Sequence, residues 1–264
     1  MKAKPCPEVQ PLLPSWLRRA SKHPAATSLV LRGSLVTRAL CGQGRPAADV
    51  DYLISGPFDA VRLAEFATEI ARLPDDRVIM DVVSTDVIWA ETAFPGLRVQ
   101  LLGQDLRGDA QMFQVDFAYG DPLGQPPALL RIPEVGPVLA CQAETLWAWK
   151  LHGLVEFGPG RWRAKDLYDL HLLGTRVALN HHLLPALVAL AFRSRDTALD
   201  TLDDVRTRAA WGMSSSNARK WRAFQRTYGV DLDVLEARQS VRVQLERLLP
   251  ALLLQELRVE AQIK

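Results

Sequence analysis

Gly33-Ser34, a short apolar stretch, and then Asp49-Val50-Asp51-Tyr52-Leu53-Ile54 decide how this chain folds and what chemistry it can host. The run from Asp49 is strand-like, and in a strand residues i and i+2 point to one face, so Asp49 and Asp51 present both carboxylates to one point. Such a point suits Mg²⁺ or Mn²⁺, which take one or two protein carboxylates plus the phosphates of a substrate. Gly33-Ser34 supplies the complementary half. Glycine lets the backbone approach a ligand closely, and a helix beginning there would turn its free N–H groups toward an anion. An Asp-x-Asp pair by itself is weak. The chain carries a second one, Asp231-Leu232-Asp233, with no Gly-Ser before it, and that pair reads as a solvated turn.

The 264 residues can bury a full core, and two closely packed lobes are expected. With 48% hydrophobic and 23% charged residues, and mean hydropathy of −0.02, the composition is that of an ordinary globular protein. A net charge of +2 means that any nucleic-acid partner is held by a local patch and not by a global field. Cys6, Cys41 and Cys141 are scattered, without zinc or disulfide spacing, which points to a reducing cytoplasm. Met1 to Pro14 is interrupted by prolines and lacks the apolar core of a signal peptide, while Leu248 to Leu254 is too short to span a bilayer. No membrane role is expected.

Local patterning predicts a helix around Ser15 to Lys22, strands at Ser28–Arg32 and Asp49–Ser55, and a helix from Phe58 to Leu73. Further strands are expected at Arg77–Ser84, Leu97–Leu102 and Met112–Ala118. From about Val138 the β-branched alternation gives way to leucine-rich helical periodicity, over Ala143–Phe157, Arg163–Leu173, His181–Phe192 and a tail to Ile263. The expected class is α+β: a mixed-sheet core over residues 1–136 and a helical lobe over residues 137–264, divided at the Pro133–Pro137 break.

Phe113-Gln114-Val115-Asp116-Phe117 sets a third acid in a buried-looking strand, where aspartate needs a partner; metal ligation with Asp49 and Asp51, or activation of an attacking hydroxyl, would supply one. Downstream lie Glu144-Thr145-Leu146-Trp147-Ala148-Trp149-Lys150-Leu151 and Arg163-Ala164-Lys165-Asp166-Leu167-Tyr168-Asp169-Leu170. In the order Gly-Ser, Asp-x-Asp, Ala-x-Lys helix and Arg-x-Lys-Asp-Leu-Tyr-Asp-Leu helix, the chain resembles the AbiEii/AbiGii-type toxin nucleotidyltransferases, a branch of the polymerase-β-like superfamily that includes the MenT toxins. Arg45 stands where that family commonly has an arginine. The resemblance runs from about Val30 to Leu173. The family often has a Gly-Gly-Thr-like cradle in place of Gly33-Ser34, and an acidic residue in place of Trp149.

The resemblance implies a minimal nucleotidyltransferase fold with a helical C-terminal lobe that completes the active site. It implies transfer of an NMP from an NTP to an acceptor, tRNA in family members, by a toxin neutralised by a cognate antitoxin. On residue chemistry, Lys150 suits the β- and γ-phosphates, and Arg163 and Lys165 can add to a triphosphate patch with Arg45, Gly33 and Ser34. Asp166 is placed to orient Lys150 or the acceptor, and Asp169 to bridge within the helical lobe. The basic run with Arg219, Lys220 and Arg222 is interleaved with Trp221, a composition that fits phosphate contacts with base stacking, and fits somewhat better a solvated helix with its tryptophan in the core. Transfer to an aminoglycoside-like small molecule or a protein side chain, or a non-catalytic nucleotide-binding module, are the rival functions.

Overall fold

The computed structural model describes residues 12–75, 77–92 and 94–263, with side chains as far as residue 252. Cys6 and the prolines before residue 12 lie outside the described residues. The chain opens with helix α1 (Leu12–Lys22), strand β1 (Leu29–Arg32) and helix α2 (Gly33–Cys41), followed by β2 (Asp49–Ile54) and α3 (Ala60–Arg72). Three strands follow, β3 (Val78–Ile88), β4 (Gly96–Asp105) and β5 (Ala110–Tyr119), and then the hairpin β6 (Ala128–Ile132) and β7 (Gly136–Ala140). Helices α4 (Ala143–Val155), α5 (Ala164–Arg176), α6 (Leu184–Ser194), α7 (Thr201–Thr207), α8 (Ser215–Tyr228) and α9 (Val234–Ile263) complete it.

The seven strands form one mixed sheet in the order β3-β4-β5-β2-β1-β7-β6, which makes the fold α+β as the patterning predicts. β2 runs parallel to β5, and β1 runs parallel to β7; the remaining pairs are antiparallel. The Pro133–Pro137 stretch is the turn of the β6–β7 hairpin, with Ile132 opposite Gly136. The helical part therefore begins at Ala143 and not at 137, because β7 returns to the sheet beside β1. Both missed strands are short, and Pro137 is tolerated because it stands at the start of β7.

One face of the sheet is buried over its central strands. Val99, Val115, Phe117, Leu97 and Leu101 are buried there beneath α1 and α3, where Trp16 meets Phe113 at 6.3 Å and Phe66 meets Phe117 at 6.2 Å between ring centroids. The other face carries the functional side chains, since cross-strand partners share a face. α4, apolar on nearly all sides, is buried among α2, α5 and α6. Among the described residues no helix is long and apolar enough to cross a membrane.

Candidate active site

Register brings the predicted acids together. Arg32 of β1 stands opposite Asp51 of β2, Asp51 opposite Asp116 of β5, Asp116 opposite Arg98 of β4, and Arg98 opposite Asp86 of β3. Five strands thus lay one row of charged side chains across a single face. The next row is Asp49, Gln114, Gln100 and Ser84. Asp51 lies against the Gly33–Ser34 turn, where Gly33 takes φ +76, a conformation that costs glycine little. α2 starts at this turn. The Ser34 side chain is buried, 3% exposed, and its Oγ has no hydrogen-bond partner in the structure.

Electrostatics mark Asp51. Burial and then the neighbouring Asp49 carboxylate push its pKa up to about 6, against the opposing pull of Arg32. Two carboxylates pressed together in this way are relieved by a cation, and their oxygens beside an anion-ready helix start are the donor set Mg²⁺ prefers. Asp49 and Asp51 therefore fit a divalent ion. Asp116, expected as a third ligand, has its oxygens turned to another partner in this structure, and among the described residues no cluster of three or more His, Cys, Asp or Glu is arranged to hold an ion. That partner is Arg98. Its Nε donates to Asp116 Oδ1 at 3.0 Å and its terminal nitrogen to Oδ2 at 2.8 Å, so both oxygens are occupied by one guanidinium. Gln114 Nε2 donates to the same carboxylate at 2.9 Å and in turn accepts from Gln100 at 3.1 Å.

Lys150 comes in from α4. Its Nζ lies 3.1 Å from Asp166 Oδ1 and 2.8 Å from Asp169 Oδ2, both on α5, and these acids raise its pKa against the cost of burial. Asp166 also pairs with Arg163 Nε at 2.8 Å. Arg45 is buried, with its Nε 3.7 Å from Asp169 and its guanidinium 5.9 Å from the Tyr228 ring. So Lys150 is held by Asp166 and Asp169 together, and Asp169 bridges Lys150 to Arg45. Lys165 lies exposed on α5.

Trp149, where an acid is common in the family, faces Arg32 instead: the guanidinium carbon sits 4.6 Å from the ring centroid. Arg32 also donates to Asp121 at 2.5 Å, and Arg195 pairs with the other oxygen of that buried carboxylate. The two arginines hold Asp121 well below its ordinary value despite its burial. Arg32, Arg98, Asp121 and Arg195 were not legible as site residues. Only the placement of Arg32 directly before Gly33 hinted at one of them.

The basic run divides. Ser214 caps α8 by accepting from the Asn217 N–H, and Arg219, Lys220 and Arg222 are exposed along that helix. Trp221 is 2% exposed, donates its indole N–H to the Leu232 carbonyl and packs against Trp162 and Phe224. It belongs to the core, which corrects its expected part in stacking on RNA bases. The second Asp-x-Asp lies in the loop before α9, with both carboxylates exposed and Asp233 accepting from the Leu235 N–H.

A search among curated proteins finds no match. Two solved structures from Helicobacter pylori are similar in shape: JHP933, with a TM-score of 0.47 at 16% identity over 96% of this chain and 95% of that one, and a candidate nucleotidyltransferase, with a TM-score of 0.49 at 16% identity over 91% and 92%. The family model for the nucleotidyl transferase AbiEii toxin of type IV toxin–antitoxin systems matches residues 15–247, which include every acid, cation and turn described above. The chain belongs to the AbiEii nucleotidyl transferase toxin family.

Proposed function

We propose that this nucleotidyltransferase moves an NMP from an NTP to the end of an RNA, with tRNA as the acceptor, in a Mg²⁺- or Mn²⁺-dependent reaction in the cytoplasm, and that a cognate antitoxin restrains it. The observation that carries the reading is the row in which Asp51 faces Asp116, beside Asp49 and the Gly33–Ser34 turn. Asp49 and Asp51 hold the divalent ion, which when bound neutralises charge on the transferring phosphoryl group. The backbone at Gly33 and Ser34, with the free Ser34 Oγ, receives the NTP phosphates. Lys150, positioned by Asp166 and Asp169, adds a fixed positive charge, and Arg163 and Lys165 extend it outward.

Asp116, gripped by Arg98 and Gln114, faces the acceptor side, where a carboxylate can take the proton of an attacking hydroxyl. Arg219, Lys220 and Arg222 are exposed and available to RNA phosphates. A second reading, transfer to a cationic small molecule such as an aminoglycoside, is favoured by exposed Asp81 and Asp86 on β3. Incubating the protein with each labelled NTP, Mg²⁺ or Mn²⁺, and either total tRNA or an aminoglycoside decides between them. Label on tRNA supports the reading, and label only on the small molecule replaces it.

A further inference from the structure

Trp89 is the most unusual residue on the catalytic face. It is 51% exposed, and it holds φ +55, a left-handed conformation that a bulky residue rarely adopts. The turn that follows fixes it there: the Thr92 N–H and hydroxyl both bond to the Trp89 carbonyl at 2.9 Å. The indole is laid over Gly96, the first residue of β4. A β-carbon on residue 96 would come within 3.2 Å of the Trp89 ring and 2.7 Å of the Phe117 carbonyl oxygen, so the missing side chain is what gives the ring its seat.

Gly96 and Arg98 are i and i+2 on β4, so the seat lies on the face of the acids, one step along from the Arg98–Asp116 pair. The other aromatic of this connection, Phe94, is already covered, with the Arg195 guanidinium 4.0 Å from its centroid. Trp89 is the ring left half open to solvent.

Direction of attack selects the occupant. In an in-line displacement the attacking oxygen and the leaving pyrophosphate lie on opposite sides of the α-phosphate. The phosphate-binding groups, Gly33, Ser34 and Lys150, come from the β1 and α4 side, so the acceptor arrives over β5 and β4, where Asp116, Arg98 and Trp89 stand. Exposed flat indole surface suits a nucleobase, whose faces stack on aromatic rings regardless of sequence.

Resting on the nucleotidyltransferase reading above, we propose that Trp89 is the stacking platform for an unpaired base at the acceptor end of an RNA strand, and that it presents the terminal hydroxyl to Asp116. The terminal base of a duplex is held by its pairing and by its neighbour's stacking and must give these up to turn onto the ring, so a paired end is the poorer acceptor.

The test uses the full chain with labelled NTP and an RNA oligonucleotide whose 3′ end is either unpaired or annealed to a complement. Trp89→Phe keeps a ring and Trp89→Leu keeps only bulk. The expected result is that Trp89→Leu raises KM for the unpaired RNA about 10- to 100-fold, Trp89→Phe stays within a few-fold of wild type, and NTP affinity by calorimetry is the same in all three. Wild-type intrinsic fluorescence should also be quenched by the unpaired oligonucleotide, with that change lost in Trp89→Phe. Equal KM for Trp89→Leu and wild type, or equal use of paired and unpaired ends, overturns the platform while leaving the transferase reading intact. Wild-type protein that labels no RNA but labels an aminoglycoside overturns the platform and the RNA-acceptor reading together.

Discussion

A β-carbon on residue 33 would run into the Asp51 carboxylate, overlapping Oδ2 and standing 3.0 Å from Cγ. The closeness that makes Gly33 obligatory is the same closeness that lets one ligand touch the helix start and the acid pair together. Gly33→Ala should therefore lose activity on two counts, the displaced carboxylate and the positive φ that alanine resists. The expected rate loss is about 100-fold or more, with a stability loss of about 1–2 kcal/mol. Steady-state kinetics beside denaturant unfolding check it, and wild-type kinetics in Gly33→Ala would contradict the shared site.

Asp51 links activity to stability with opposite signs. Its pKa in the folded protein is raised to about 6, so the metal-free fold binds more protons than the unfolded chain between the ordinary aspartate value and about 6. The contribution to stability is complete below that window and is lost as pH rises through it. At pH 8 without metal, Asp51→Asn should be more stable than wild type, by on the order of 1 kcal/mol, while transfer is abolished. Added Mg²⁺ should stabilise the wild type and not the variant. Thermal unfolding at pH 5 and pH 8, with and without Mg²⁺, gives the four values needed.

Arg98 occupies both oxygens of Asp116, so its removal frees a buried carboxylate and does not merely trim the surface. Arg98→Ala should lower kcat about 10- to 100-fold with little change in KM for the NTP, because Asp116 loses its orientation on the acceptor side. Arg98→Lys restores charge without the bidentate grip and should recover only part of the loss. A rise in NTP KM with kcat unchanged would move Arg98 to the phosphate side.

Lys150→Ala leaves Asp166 and Asp169 facing each other without their shared cation, although Arg163 and Arg45 remain at their outer edges. Breaking a buried ion pair from one side costs about 3–5 kcal/mol. A solvated lysine would cost almost nothing. The variant should thus be clearly destabilised and also weak in NTP use. Replacing Asp169 by Asn should destabilise in the same direction while Lys150 stays paired with Asp166. A Lys150 variant of wild-type stability would contradict the paired geometry.

The exposed basic face of α8 gives a separate prediction. Reversing Arg219, Lys220 and Arg222 to Glu should weaken RNA binding and reduce its salt dependence, with NTP affinity unchanged. Filter binding between low and physiological salt measures both. Unaltered RNA affinity in the triple variant would locate the phosphate contacts elsewhere.

The acids were legible because a strand's period of two is written locally in Asp49-Val50-Asp51, and Lys150 because it is the one lysine in an almost wholly apolar helix. What holds these residues was not, because partnership is a matter of register between segments distant in sequence. Nothing in Leu97-Arg98-Val99 says that Arg98 will stand opposite Asp116, and nothing around Trp149 says that Arg32 will stack on it. Trp221 failed for another reason. An amphipathic helix with arginines outside and a tryptophan inside has the composition of an RNA-binding helix, and only burial separates them. The β6–β7 hairpin was lost because its prolines look like a break between lobes when they frame a turn.

The most direct test of the central claim is transfer of labelled NMP to tRNA by wild type, Asp49→Asn and Asp51→Asn at saturating Mg²⁺, with folding of each confirmed by circular dichroism. The account predicts label on the tRNA with wild type and none above background with either variant. Folded variants that label tRNA at the wild-type rate would contradict the assignment of Asp49 and Asp51 as the acids that hold the metal and make the transfer possible.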